Sequence, residues 1–458
     1  MEASEIQSLI KNQRNFFLSQ ETKNIDFRIR NLKKLLKTVQ AFENHICKAL
    51  YLDLHKPEFE AYTEAGLVIQ ELKLHIRKLK KWAKPKRVRT PLVHFISKSY
   101  FFPEPYGNVL IFSPWNYPFQ LLMIPLIGAM SAGNCALLKA SRRAPHTADV
   151  INEIISSSFD PGYITLLKGS NEVNRVLLES RLDYIFFTGS VDVGKKIMEA
   201  ASKNLTPVSL ELGGKNPCII CKDADIDMAA KRITWSKFYN AGQTCVAPDY
   251  LLVQKDIKEK LLNKIKLFIT EFYGKEPSES PDFTRIINAA NVERLEVLMK
   301  SGNIICGGDT NISENYVAPT LIDNVKPGDL IMQEEIFGPV LPVIEYDNID
   351  EIFPLINNNP KPLSLYIFSR SMKLQKYILS RTSSGNGAIN DAVIQFSNPY
   401  LPYGGVGESG MGRYHGKSTF DTFSNFRAIM KKSNFPDIPL RYPPYTKRKT
   451  KIVKKFLG

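Results

Sequence analysis

Short apolar runs separated by helix-length stretches set the pattern of the chain from residue 107 onward. VLIF (109–112), CALLK (135–139), YITLLK (163–168) and DYIFFTG (183–189) have strand length, and their alternation with longer segments predicts a parallel sheet wrapped by helices. A second α/β unit is expected from about residue 210, with strand candidates at 218–221, 251–253 and 341–344. The N-terminal hundred residues read as mostly helical and precede the first strand. Within them Ile69, Leu72, Ile76 and Leu79 fall at helical spacing, which places the basic residues of 77–89 on a solvated face. No internal repeat or low-complexity linker interrupts this pattern, and only the basic tail departs from globular composition.

Residues 105–138 contain no charged side chain. A membrane span is nevertheless not expected there, because Asn116, Pro118, Gln120, Pro125, Gly128, Gly133 and Asn134 punctuate the run; it reads as buried strand, helix and strand. At 458 residues with 43% hydrophobic composition, the chain is globular and exceeds the usual size of one core, so two or more domains are expected. Six cysteines in such a length form no disulfide framework. The opening sequence MEASEIQSLIKNQRNFF has neither the basic lead nor the apolar core of an export signal, and a cytoplasmic location is the expectation.

The formal charge of +15 raises a nucleic-acid or membrane-surface function. Much of it comes from RKLKKWAKPKRVR (77–89), accounted for by the helix above, and from KRKTKIVKK (447–455). In the tail, Ile452, Val453, Phe456 and Leu457 share one helical face opposite the lysines, a pattern that suits either a membrane surface or packing on the protein's own body.

Three polar side chains stand out for chemistry. Cys245 lies in NAGQTCVAP (240–248), after a helical run carrying Ile233, Trp235, Phe238 and Tyr239, where Gly242 permits a turn that exposes and activates a thiol. Most free cysteines are only small apolar fillers, so the neighbouring motifs decide the matter. In VSLELGGKNP (208–217), Glu211 closes a buried strand, where desolvation raises a carboxylate toward the pKa of a general base. In SPWNYPF (113–119), the amide of Asn116 is placed either to donate to a developing oxyanion or to serve as a turn residue. FFTGSVDVGKK (186–196) runs a strand into a helix start at Ser190, whose free amides suit a pyrophosphate or an ordinary N-cap. CIIC (218–221) has a metal-site spacing, but in a strand residues three apart point to opposite faces, and no histidine pair accompanies it; no metal is expected.

Taken together, these segments, with EEIFGPV (334–340) and PYGGVGESGMGRYHGKSTFDTF (402–423), resemble the aldehyde dehydrogenase superfamily almost end to end, and the closing motif resembles its class 3 or fatty-aldehyde branch. The resemblance implies an α/β aldehyde dehydrogenase-like fold: a Rossmann-type NAD(P)-binding domain (1–82 and 105–209), an α/β catalytic domain (210–395), a small β oligomerisation element (83–104 and 396–432) and a basic tail (433–458). It implies Cys245 as nucleophile, Glu211 as the base that activates water, and Asn116 with the Cys245 amide as the oxyanion site. NAD or NADP is the implied cofactor. Ser113, Trp115, Lys139, Arg142, Gly189, Ser190, Val193, Gly194, Leu212, Glu335 and Phe337 are the implied cofactor residues, with Lys139 at the adenosine ribose, Glu335 at the nicotinamide ribose and Phe337 beside the nicotinamide. Tyr117, Phe119, Trp235 and Tyr239 form an expected aromatic wall, with Tyr117, Trp235 and Tyr239 as substrate residues for medium to long aliphatic or aromatic aldehydes. A short N-terminus and the class 3 ending imply a homodimer.

Two departures bear on specificity. Where relatives read KPSE, this chain reads Lys139-Ala140-Ser141-Arg142, replacing an acid that binds ribose hydroxyls; Gln395 stands where many class 3 relatives carry a histidine in the loop over the substrate entrance. A CoA-acylating dehydrogenase is the alternative enzyme, opposed by Glu211, and a basic membrane- or nucleic-acid-binding protein is the alternative of another class. Nucleic acid is not an expected partner, whereas weak peripheral membrane contact through the tail is.

Overall fold

A computed structural model describes residues 2–457, with side chains to residue 455. Four α-helices come first, Ala3–Leu18, Ile25–Ala41, Glu43–Leu54 and Glu58–Trp82. The last buries Ile69, Leu72 and Leu79 while Lys73, Arg77 and Lys80 stay in water, so the first basic cluster includes the wet face of an amphipathic helix.

Three larger sheets follow, with a two-stranded ribbon of Thr310–Asn311 and Tyr316–Val317 beside them. The first has six strands in the order Gly410–Met411, Val208–Leu212, Tyr184–Gly189, Asn108–Phe112, Cys135–Lys139 and Ile164–Leu166, parallel except for the antiparallel edge strand Gly410–Met411. Its central strands are apolar because helices cover both faces, including Gln120–Ala132, every residue of which is buried. That burial accounts for the uncharged stretch at 105–138, and no helix among the described residues is long and apolar enough to cross a membrane. The second sheet has seven strands, ordered Asn303–Cys306, Thr320–Asp323, Val340–Tyr346, Tyr250–Gln254, Pro217–Ile220, Ser364–Phe368 and Asn386–Ile389. A third, three-stranded sheet joins Lys86–Val88, Ser97–Pro105 and Ser424–Lys432.

The structure corrects two expected boundaries. Val208–Leu212 is hydrogen-bonded inside the first sheet, so the chain leaves that sheet at 213–216 rather than at 209; Gly213 makes the departure, since a Cβ there would lie 1.9 Å from a Glu335 carboxylate oxygen. The C-terminal part of the small β element is only Ser424–Lys432. Residues 396–423 return to the first unit instead, supplying its edge strand and the helix Lys417–Thr422, which packs so tightly on Gln120–Ala132 that a Cβ at Gly128 would lie 2.2 Å from the Thr419 methyl. The strands at 303–306, 320–323, 364–368 and 386–389 were not expected from the sequence: they are short, and Asn386–Ile389 carries glycine and a half-exposed face.

Candidate active site

The turn that carries Cys245 is held from behind. Asp225 caps the helix Ile226–Phe238 by accepting from the Met228 amide, and the chain then enters a tight turn in which Asn240 (φ 53°) and Ala241 (φ 48°) are left-handed. Such backbone in residues with a Cβ persists only where its surroundings impose it. Here the Asn240 amide donates to the buried Glu60 carboxylate at 3.0 Å, while its side-chain Nδ2 donates to the carbonyls of Asn116 (3.1 Å) and Gln243 (3.0 Å). Gly242 (φ 70°) is required, because a Cβ there would sit 2.2 Å from the Gly338 carbonyl oxygen.

Cys245 emerges half-buried, with Sγ 3.6 Å from the Tyr403 hydroxyl. Burial pushes the thiol up to about 12; the Tyr403 hydrogen bond opposes the shift, whereas the negative charges of Glu335 and Glu211 add to it.

Glu211 lies in the strand Val208–Leu212, in register with Thr188 on one side and Gly410 on the other. Both of its carboxylate oxygens are buried and have no hydrogen-bond partner among the described residues. Desolvation therefore raises its pKa well above the usual carboxylate range, with Arg413 pulling the other way, as the sequence predicted for a base. Its charge is one of those that raise the Cys245 thiol.

Asn116 is buried in the loop after the strand Asn108–Phe112, and its Nδ2 donates to the Gln243 carbonyl at 2.9 Å. Its own carbonyl accepts from Asn240 and from the buried Lys56 ammonium at 2.8 Å; Lys56 is paired with Glu64 and lies 4.0 Å from the centre of the Tyr117 ring. Tyr117 shares a hydrogen bond of 2.6 Å with Thr244, next to the nucleophile, and packs with Leu121, Tyr239 and Trp235 as an apolar cluster. The expected wall is thus Tyr117, Tyr239 and Trp235. Phe119 is not part of it, being fully buried in the core between helix and sheet.

A cleft of about 1160 Å³ opens over the ends of the first sheet, lined by Ser113, Trp115, Lys139, Arg142, Gly189, Ser190 and Val193 among others. The buried hydroxyls of Ser113 and Thr188 have no partner among the described residues, and Ser190, at the N-cap of the helix Val191–Ser202, makes no side-chain cap bond. Open donors, a free helix N-terminus and this volume fit a dinucleotide. Gly194 and Leu212 lie behind the wall: a Cβ on Gly194 would meet a Leu212 methyl at 2.7 Å, so this pair sets how closely the helix approaches the sheet. Lys139 is buried, and its ammonium is lowered by burial and by Arg142. Arg142 is on the exposed rim, donating to Asn171 Oδ1 at 2.9 Å. Phe337 (φ 48°) meets Trp115 edge-on at 5.3 Å, and Glu335, raised to about 8 by burial and by nearby Asp249, has a buried oxygen with no partner among the described residues.

Other sequence expectations resolve differently. Gln395 does not face the substrate: it is buried and donates to Tyr366 Oη (2.9 Å), Asn386 Oδ1 (2.9 Å) and Ser364 Oγ (3.3 Å). Cys218 and Cys221 are buried with their thiols pushed up by desolvation, and no metal-holding group of histidine, cysteine and carboxylate side chains occurs among the described residues. The tail forms the helix Lys447–Leu457, on which Ile452 and Val453 remain 36% and 38% exposed, so these two side chains do not pack away on the body; the side chains of Phe456 and Leu457 lie outside the described residues. Tyr403 and Lys56 were not singled out from the sequence, since nothing local marks either as a neighbour of residue 245 or 116.

A Rossmann-type cleft over the ends of the first sheet, with a free helix N-terminus at Ser190, fits a nicotinamide-dependent oxidoreductase. The aldehyde dehydrogenase family model matches residues 1–429. The chain is 48% identical over 444 residues to the 4,4'-diaponeurosporen-aldehyde dehydrogenase of Staphylococcus aureus, covering 96% of each chain. It is 43% identical to aldehyde dehydrogenase family 3 member A2 of Macaca fascicularis, covering 97% of this chain and 92% of the relative. Among solved structures it resembles the substrate-bound state of Staphylococcus aureus AldH, at 46% identity and a TM-score of 0.96 over 99% of both chains. The chain belongs to the aldehyde dehydrogenase family, within its family 3 branch. It is an oxidoreductase that converts an aldehyde to the carboxylic acid with NAD or NADP.

Proposed function

We propose that the oxidation runs through a thioester on Cys245 that is hydrolysed by water activated at Glu211. The observation that carries this reading is the buried Glu211 carboxylate, both oxygens without a partner among the described residues, whose charge acts on the Cys245 thiol. The Cys245 thiolate attacks the aldehyde carbon, and Asn116 Nδ2, which keeps one hydrogen after bonding Gln243, donates with the Cys245 amide to the oxyanion. When bound, the nicotinamide supplies the hydride acceptor that turns the thiohemiacetal into the thioester. Ser113, Lys139, Ser190 and Glu335 would hold that cofactor, and Trp115 and Phe337 would flank its reactive end. Glu211 then takes a proton from water as the water adds to the thioester carbonyl; collapse expels the thiolate and releases the acid. The apolar cluster of Tyr117, Tyr239 and Trp235 supports medium to long aliphatic or aromatic aldehydes.

Rapid mixing tests the division of labour. Cys245→Ala should abolish reduction of the nicotinamide, whereas Glu211→Gln should give one burst of reduced nicotinamide and trap acyl-enzyme visible by mass. Wild-type turnover by the Glu211 variant would remove it from the mechanism, and acyl transfer to added CoA would instead favour the acylating alternative.

The same reading includes a homodimer and reversible contact of the exposed basic helix Lys447–Leu457 with anionic lipid, at about 1 kcal/mol per well-placed basic residue. Co-sedimentation with phosphatidylserine vesicles that survives removal of residues 447–458 would exclude the tail. A cytoplasmic location is also part of the proposal, supported by six unpaired cysteines and a mechanism that needs a reduced thiol.

A further inference from the structure

Tyr403 comes to the active site from the far end of the chain. An antiparallel bridge with Tyr414 fixes its backbone, Tyr403 N donating to the Tyr414 carbonyl at 3.0 Å and Tyr414 N to the Tyr403 carbonyl at 2.8 Å. Its ring is buried, met edge-on by Tyr414 (centroids 5.4 Å) and at a tilt by His415 (5.2 Å). Among the described residues, the hydroxyl makes one hydrogen bond, to Cys245 Sγ at 3.6 Å.

We propose that Tyr403 is a further catalytic residue, whose hydroxyl donates a hydrogen bond to the sulfur of Cys245 whenever that sulfur carries negative charge. This rests on Cys245 being the nucleophile. The need for such a donor follows from the surroundings: burial desolvates the thiol, and the Glu335 and Glu211 carboxylates add to the opposition to its ionisation. Desolvation also holds the phenol protonated, so Tyr403 acts as a donor and not as a second base. A charge-assisted bond is stronger than one to a neutral thiol, so the same O–H stabilises the attacking thiolate and, later, the thiolate expelled when the tetrahedral adduct collapses. No proton need leave the phenol in either step.

The test is Tyr403→Phe, which keeps the ring and removes the donor. The rate of Cys245 alkylation by iodoacetamide, located by peptide mass mapping, is measured against pH in wild type and variant. Loss of the bond should move the midpoint upward by about one unit, which lowers the thiolate fraction about tenfold below the midpoint; greater intrinsic nucleophilicity offsets part of this, leaving a net loss of about threefold at pH 8. Expulsion of the thiolate should also slow, seen as a longer-lived acyl-enzyme. A variant with wild-type secondary structure, wild-type alkylation rates and an unmoved midpoint would overturn the role of Tyr403. If Cys245→Ala remained active, the nucleophile assignment itself would fail, a result distinct from the first. Should the variant melt early, Tyr414→Leu, which loosens the ring brace and keeps the Tyr403 hydroxyl, must move the pH midpoint of alkylation less than Tyr403→Phe does, or the effect is one of packing.

Discussion

The side-chain amide of Asn116 donates to the carbonyl oxygen of Gln243, two residues before the nucleophile, at 2.9 Å. One bond thereby ties the proposed oxyanion donor to the turn that carries Cys245. Lys56 and Asn240 grip the Asn116 carbonyl from the other side. Preorganisation of this kind costs nothing at the moment of reaction, which is why such donors are worth so much. Asn116→Ala should lower kcat/KM by about 10²–10³-fold, with the burst of reduced nicotinamide slowed rather than reduced in amplitude. A fall of less than about threefold would mean that the amide only shapes the turn.

How far the sequence foretold this arrangement depended on whether a contact is local. The central strands of the first sheet were legible because burial on both faces makes them continuous apolar runs, as in the fully buried Asn108–Phe112 and Cys135–Lys139. Cys245, Glu211 and Asn116 were legible through the motifs around them. Tyr403 was not, because its place beside residue 245 depends on residues 396–423 returning to the edge of the first sheet. Lys56 was hidden for a similar reason: a lysine after a helix reads as solvated, and only the fold shows it buried against Glu64 and the Asn116 carbonyl. Gln395 shows the converse error, a position placed at the substrate by likeness and turned inward by its bonds to Tyr366 and Asn386.

Cofactor preference should follow Arg142. Its guanidinium lies on the cleft rim, fixed by Asn171 at 2.9 Å, and Arg143 and Lys196 also line the cleft. An acid at this position would bind ribose hydroxyls and repel a 2′-phosphate, whereas arginine donates readily to phosphate oxygens. NADP+ should therefore be used at least comparably to NAD+. In Arg142→Glu, the ratio of kcat/KM for NADP+ over NAD+ should fall by about tenfold or more, the order of one lost charge-assisted contact. Measuring both cofactors in both proteins checks this; an unmoved ratio would place the 2′-phosphate away from the rim.

Assembly should follow the open edge of the small sheet. Ser424–Lys432 is paired along its length with Ser97–Pro105 on one side only, which leaves the other edge of a nine-residue strand without a partner in the single chain. Its side chains Phe426, Ile429 and Met430 are each at least 40% exposed. A long apolar edge of this kind is a template for another strand and is normally covered in a soluble protein. A homodimer would cover it, so light scattering at micromolar concentration should report the mass of two chains. Replacing Ile429 and Met430 with lysine should shift that mass toward one chain while leaving Cys245 alkylation unchanged, because neither side chain belongs to the cluster packed around Cys245. A double variant that stays dimeric would move the interface to another face, and a wild type that is monomeric would remove the dimer from the reading altogether.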